Sequence, residues 1–143
     1  MARTRPGVAR SRARKLLLQA LYQHALTQHD AGVLLEQYSA DPELARADTA
    51  YFRELLFAIV AGQARLDELI QSYVDRPIVQ LDPVEHAILR IGMYELAERR
   101  EIPYRVVVNE GVELSHRFGA ADGHKFVNAV LDRAARTLRA EER

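Results

Sequence analysis

The chain has 143 residues, about the length of one compact domain. Hydrophobic residues make up 48% and charged residues 28%, a balance that supports a packed core and excludes a wholly disordered, collagenous or low-complexity chain. The net charge is zero, and the absence of cysteine excludes disulfides, thiolate metal sites and cysteine nucleophiles. Glycine and proline together number 12, too few for the turns of a sandwich or barrel, so an all-α fold is expected. No apolar run reaches the ~18–20 residues needed to span a bilayer, and the basic N-terminus does not lead into a secretory apolar region. A soluble, cytoplasmic protein with no membrane partner is expected.

The neutral total conceals an uneven distribution. Residues 1–15 carry Arg3, Arg5, Arg10, Arg12, Arg14 and Lys15 and no acid, so this basic N-terminal arm is +6 and the remainder −6. The basic residues are 18 Arg to 2 Lys. The guanidinium is a planar fork of donors suited to phosphate, although a GC-rich gene produces the same ratio. A basic run without interspersed acid is more often a polyanion contact than a solubilising tail, which makes nucleic acid the leading ligand class.

Pro6-Gly7 reads as a break. From Val8 or Ala9 to about Gln28 nothing interrupts a helix, and Leu16, Leu17, Leu18, Leu21, Tyr22 and Leu26 surround it rather than forming one stripe. This helix is expected to be central, or to offer a second apolar face to a partner. Arg10 and Arg14 stand one turn apart in register with Leu17 and Leu21, whereas Arg12 points elsewhere. Val33, Leu34, Leu35 and Tyr38 suggest a short second helix ending near Asp41-Pro42, and residues 41–48 read as a loop. Asp48 is the expected cap of a long third helix, in which Phe52, Leu55, Leu56, Ile59, Val60, Leu66, Leu69, Ile70 and Tyr73 keep the i, i+3, i+4 spacing. A bend is expected at Gly62, and Arg76-Pro77 ends the helix. One domain over residues 1–143 is expected, with about 1–76 and 77–143 as the sub-bundles if it divides.

Asp82-Pro83 marks the next start, aspartate capping and proline in the first turn, where its missing donor costs nothing. Ile88, Leu89, Ile91, Met93, Tyr94 and Leu96 supply the core of this fourth helix. Val106–Val108 would suit a strand, but the sequence offers no partner strand, so a fifth helix is expected from Tyr104 with Gly119 at its end. Asp122 is the next expected cap. Phe126, Val127, Val130, Leu131, Ala134 and Leu138 then trace the cleanest apolar stripe of the chain.

Catalytic machinery is sparse. Ser11, Ser39, Ser72 and Ser115 lie in no G-x-S-x-G elbow, the five histidines form no H-E-x-x-H, and the seven glycines make no phosphate-cradling loop. Glu110, Glu113, His116 and His124 have a spacing that would suit a divalent ion, but such pairs are common on helix surfaces and no metal site is expected. The stretch from Phe118 to Phe126, with His124 and Lys125 at a helix start, is a candidate anion site. An ordinary turn between helices, with Asp122 as cap and Phe126 in the core, accounts for most of the same residues.

The blocks ARSRARKLLLQALYQ, YFRELL, LDPVEHAILRIGMYEL, IPYRVVVNEGVELSHRFG and GAADGHKFVNAVLDRAA together resemble the NusB family of bacterial transcription antitermination factors, over about residues 8–136. The resemblance implies an all-α fold of two small helical bundles packed at an angle, six to seven helices in all, with no catalysis and no cofactor. It implies binding of boxA RNA, a heterodimer with NusE, a ribosomal protein of the small subunit, and a place in the RNA polymerase antitermination complex, chiefly on ribosomal RNA operons. On this chain the family's arginine-rich start falls on Arg10, Arg12 and Arg14, with Ser11 at a position that is often a further Arg. The second RNA-contacting element falls on Asp122, Lys125 and Phe126, with Asn128 beyond. The NusE-facing surface falls on Tyr22 and Glu85. Two other readings stay open. One is the NusB-like N-terminal domain of a ribosomal RNA cytosine methyltransferase, against which the length and the lack of a methyl-donor site both count. The other is a self-associating helical protein, since family members differ in whether the free protein is a homodimer.

Overall fold

The computed structural model describes residues 5–142, and every regular element among them is helical. Arg3 of the basic arm lies outside the described residues. Eight α-helices are present among the described residues where six to seven were expected, and the chain divides into two compact units, residues 1–61 and 62–143.

In the first unit, α1 (Pro6–Thr27) packs on α2 (Ala31–Ser39), α3 (Pro42–Ala45) and α4 (Thr49–Ala61). Pro6 does not break the chain. It is the first helical residue, where its fixed φ is preorganised and its missing N–H would have had no partner. Leu16, Leu17, Leu18 and Leu21 are all buried, which makes α1 the central helix of this unit, as its encircling leucines predict. It ends at Gln28, which adopts the left-handed conformation at φ 62° and donates its N–H to the His24 carbonyl at 2.8 Å. Asp30 caps α2 by accepting from the Val33 N–H at 2.9 Å. The short helix α3 occupies the stretch read as a loop. Asp41 caps it by accepting from the Glu43 N–H at 2.9 Å, with Pro42 in the first turn. Four residues are too few to show any periodicity, so only this Asp-Pro pair announced it. Asp48 caps α4 as expected, accepting from the Tyr51 N–H at 3.0 Å, and its own N–H donates to the Ala9 carbonyl of α1 at 3.0 Å.

The long helix expected from Thr49 is two helices, because Gly62 separates α4 from α5 (Gln63–Gln71). The apolar side of α5 packs on α6 (Pro83–Glu98), so the division between units lies at Gly62 rather than at Arg76-Pro77. Asp82 caps α6 through the Val84 and Glu85 N–H groups at 2.9 and 3.1 Å. The valines that would suit a strand are helical: α7 (Tyr104–Phe118) buries Val107 and Val108, and α8 (Gly123–Leu138) follows. Leu131 of α8 sits against Gly92 of α6 and Gly111 of α7. A Cβ at either glycine would lie 2.7 Å from a Leu131 methyl carbon, so close helix approach is what these positions require. Of the stripe read from the sequence, Val127, Val130, Leu131 and Ala134 are fully buried, while Phe126 and Leu138 near its two ends keep part of their exposure.

Candidate nucleic-acid interface

The start of α1 places its arginines on two faces, as the helical register predicts. Arg10 and Arg14 converge on Tyr51 of α4, with guanidinium carbons 4.4 and 5.7 Å from the ring centre. Arg10 also stands 3.6 Å from an Asp48 carboxylate oxygen and remains partly exposed. Arg14 differs: it is 2% exposed, packed beside a buried tyrosine ring. Its burial makes it a residue of the unit's interior and removes its guanidinium from easy reach of a phosphate. Arg12, on the other face, donates from a terminal nitrogen to the Arg46 carbonyl at 3.1 Å. Ser11, where a further arginine is often found in the resemblance, turns its hydroxyl back to the Gly7 carbonyl at 3.0 Å.

In the second unit, Asp122, Lys125 and Phe126 gather at the start of α8. Asp122 stands at the cap position, but its side chain accepts no backbone N–H. It lies instead 3.5 Å from the Lys125 ammonium, with both side chains largely exposed. The ring of Phe126 is covered on one face by Arg76, whose guanidinium carbon is 4.6 Å from the ring centre. Arg76 carries no signal of its own in the sequence, because it belongs to no periodic segment and stands only as a helix end before proline. His116 and His124 stack with ring centres 4.0 Å apart, and no group of three or more metal-ligating side chains occurs among the described residues.

The two residues assigned to a protein partner are unlike each other. Tyr22 on α1 is 38% exposed, and Leu26, one turn on, is more so, which leaves an apolar patch open on this helix. Glu85, in the first turn of α6, is only 9% exposed. Its carboxyl packs against the first residue of α8, where a Cβ on Gly123 would come 2.5 Å from the Glu85 Oε2. Burial pushes the Glu85 carboxyl above the usual range, the Asp82 charge adds to this, and the Arg76 charge works against it. Glu85 can therefore present only an edge to a partner, and its carboxyl lies against the start of α8, the helix that carries Lys125 and Phe126.

Residues 11–136 match the NusB family model, a span that holds Arg12, Tyr22, Glu85, Asp122, Lys125 and Phe126. The chain is similar to a transcription antitermination protein NusB of Halorhodospira halophila, 52% identical over 145 residues covering 100% of this chain and 93% of the relative. It is likewise similar to the protein of that name from Escherichia coli O139:H28, 46% identical over 92% of this chain and 94% of the relative. Among solved structures, T. maritima NusB superposes with a TM-score of 0.80 at 27% identity, covering 95% of this chain and 94% of the other.

Proposed function

The chain belongs to the NusB family, and we propose that it is a non-enzymatic transcription antitermination factor that binds boxA-type RNA together with NusE and links it to the transcribing RNA polymerase, chiefly on ribosomal RNA operons. The observation that carries this reading is the 52% identity to a transcription antitermination protein NusB over the whole chain. The chemistry of side chains that keep all or part of their exposure supports it. Arg10 and Arg12 in the first unit and Lys125 in the second neutralise backbone phosphates, and the aromatic Phe126 gives an unpaired base something to pack on. Arg14 acts one step back, by holding the start of α1 against Tyr51. Tyr22, with Leu26 beside it, meets NusE as an apolar patch, and Glu85 adds an acidic edge that suits a basic ribosomal protein. The factor works in the cytoplasm, and no helix among the described residues is long and apolar enough to cross a membrane.

The test is fluorescence anisotropy of a labelled boxA RNA against a scrambled RNA, with and without purified NusE, at two salt concentrations. Selective binding of boxA that NusE tightens is the expected result. Equal binding of both RNAs with no effect of NusE would sink the proposal.

A further inference from the structure

Of the residues assigned to RNA in the second unit, Lys125 alone is a cation, and Asp122 stands beside it. Arg76 adds a second cation at the same place, held on three sides. One face of its guanidinium lies over the Phe126 ring at 4.6 Å. Its Nε donates to an Asp75 carboxylate oxygen at 3.1 Å. Its main chain is pinned by Gln71, which donates to the Arg76 carbonyl at 2.9 Å and accepts the Ile78 N–H at 3.0 Å. Among the described residues no acceptor engages the two terminal nitrogens, and the side chain remains 47% exposed. One face and one edge are thus occupied while the edge that forms a two-pronged contact stays open. A surface arginine ordinarily gives up considerable rotamer freedom when it binds, and here much of that freedom is already gone.

Resting on the RNA-binding reading above, we infer that Arg76 is a phosphate-binding residue of the RNA interface, its terminal nitrogens making a bidentate contact with one backbone phosphate of the RNA that Lys125 and Phe126 meet. The planar fork matches two phosphate oxygens, which a lysine ammonium does not. Asp75 assists by fixing the plane through Nε, leaving the outer edge free for the phosphate.

The experiment is anisotropy titration of labelled boxA and scrambled RNA with the full chain, Arg76→Ala and Arg76→Lys across a salt series, with far-UV circular dichroism of each variant. The alanine variant is expected to lose about tenfold in affinity. Its plot of log K against log salt should be flatter by ~0.7, one single-strand phosphate contact. The lysine variant is expected to keep the slope and regain only part of the affinity. Wild-type affinity and slope in Arg76→Ala would overturn the inference. So would lost affinity with an unchanged slope, because Arg76 would then only prop up Phe126. Failure of the wild-type chain to bind RNA would remove the RNA-binding reading itself, whereas a selective wild type beside an indifferent Arg76→Ala would remove Arg76 alone.

Discussion

Arg139, one residue past the end of α8, donates from Nε to the main-chain carbonyl of Leu96 on α6 at 2.8 Å. The same guanidinium donates to the carbonyls of Ile102 at 2.8 Å, Arg99 at 3.0 Å and Glu95 at 3.1 Å, and it pairs with Glu142. A fully buried arginine thus brings its donors to four carbonyls where α6 ends and the chain turns toward α7, two of which, those of Glu95 and Arg99, also accept a backbone N–H. Glu142 in turn accepts from the Tyr104 N–H at the start of α7, at 3.2 Å.

Replacement of this fork should be costly for stability and silent for RNA. Arg139→Ala is expected to lower the unfolding free energy by about 3 kcal/mol, because several carbonyls lose a charged donor. Arg139→Lys should recover only part, since one ammonium cannot span four carbonyls. Urea denaturation reads the effect directly, and an unchanged midpoint in the alanine variant would remove the capping role.

Acid should weaken the second unit through Asp67. His86 Nε2 lies 2.7 Å from one Asp67 oxygen, and Arg90 donates to both oxygens at 2.9 and 2.7 Å, joining α5 to α6. Burial by itself raises the Asp67 carboxyl, but these hydrogen bonds and the Arg90 charge outweigh it and bring the group down from 3.8 to about 2. Because the folded-state value is the lower one, the carboxylate's contribution is fully present above the unfolded value and is lost as pH falls from 3.8 toward 2. It amounts to about 1–2 kcal/mol after screening by solvent. Asp67→Asn should remove that part of the acid dependence in urea titrations, and a variant with the wild-type pH profile would contradict the assignment.

Overpacking probes the centre of the same unit. In Gly111→Ala the new methyl meets Leu131 Cδ1 at 2.7 Å and Val127 Cγ1 at 3.3 Å, atoms of a filled core. A loss of about 1–3 kcal/mol is expected. Combining it with Leu131→Val, which removes the opposing carbon, should cost less than the sum of the single changes in a double-mutant cycle. Strict additivity would mean that α7 moves away from Leu131 freely.

Arg10 and Arg14, one turn apart on α1, should separate binding from folding. Arg10→Ala is expected to flatten the salt dependence of RNA affinity by ~0.7 with little change in stability. Arg14→Ala removes a buried guanidinium from beside Tyr51 and is expected to lower stability by about 2 kcal/mol while leaving the slope intact. Parallel salt titrations and thermal melts of the two variants decide the matter. A flattened slope in Arg14→Ala would return that residue to the RNA surface.

What could be read from sequence depended on how local the cause was. Asp82-Pro83 opens α6 because a cap and a fixed φ act within one turn, and the α8 stripe is buried because helical spacing puts Val127, Val130, Leu131 and Ala134 on one side. The all-helical class followed from the same short-range signals, and the identity of the family from blocks spread over the chain. Where two elements compete for a residue, spacing alone was insufficient. The periodicity of 49–73 continues through Gly62, yet the chain breaks there because α5 buries its apolar side on α6. Asp122 has the composition of a cap, but its side chain lies by Lys125 instead.

The sequence by itself determined the all-helical class, the caps Asp48 and Asp82 and the buried side of α8, since propensity, capping and periodicity act over three or four residues. Only the tertiary structure decided that Arg14 is buried against Tyr51 while Arg10 keeps part of its exposure, that Arg76 lies over Phe126, and that Arg139 ends inside the fold with four carbonyls around it. An arginine carries the same charge in all of these places. Its role is set by which groups from distant parts of the chain surround its guanidinium, and folding alone brings those groups together.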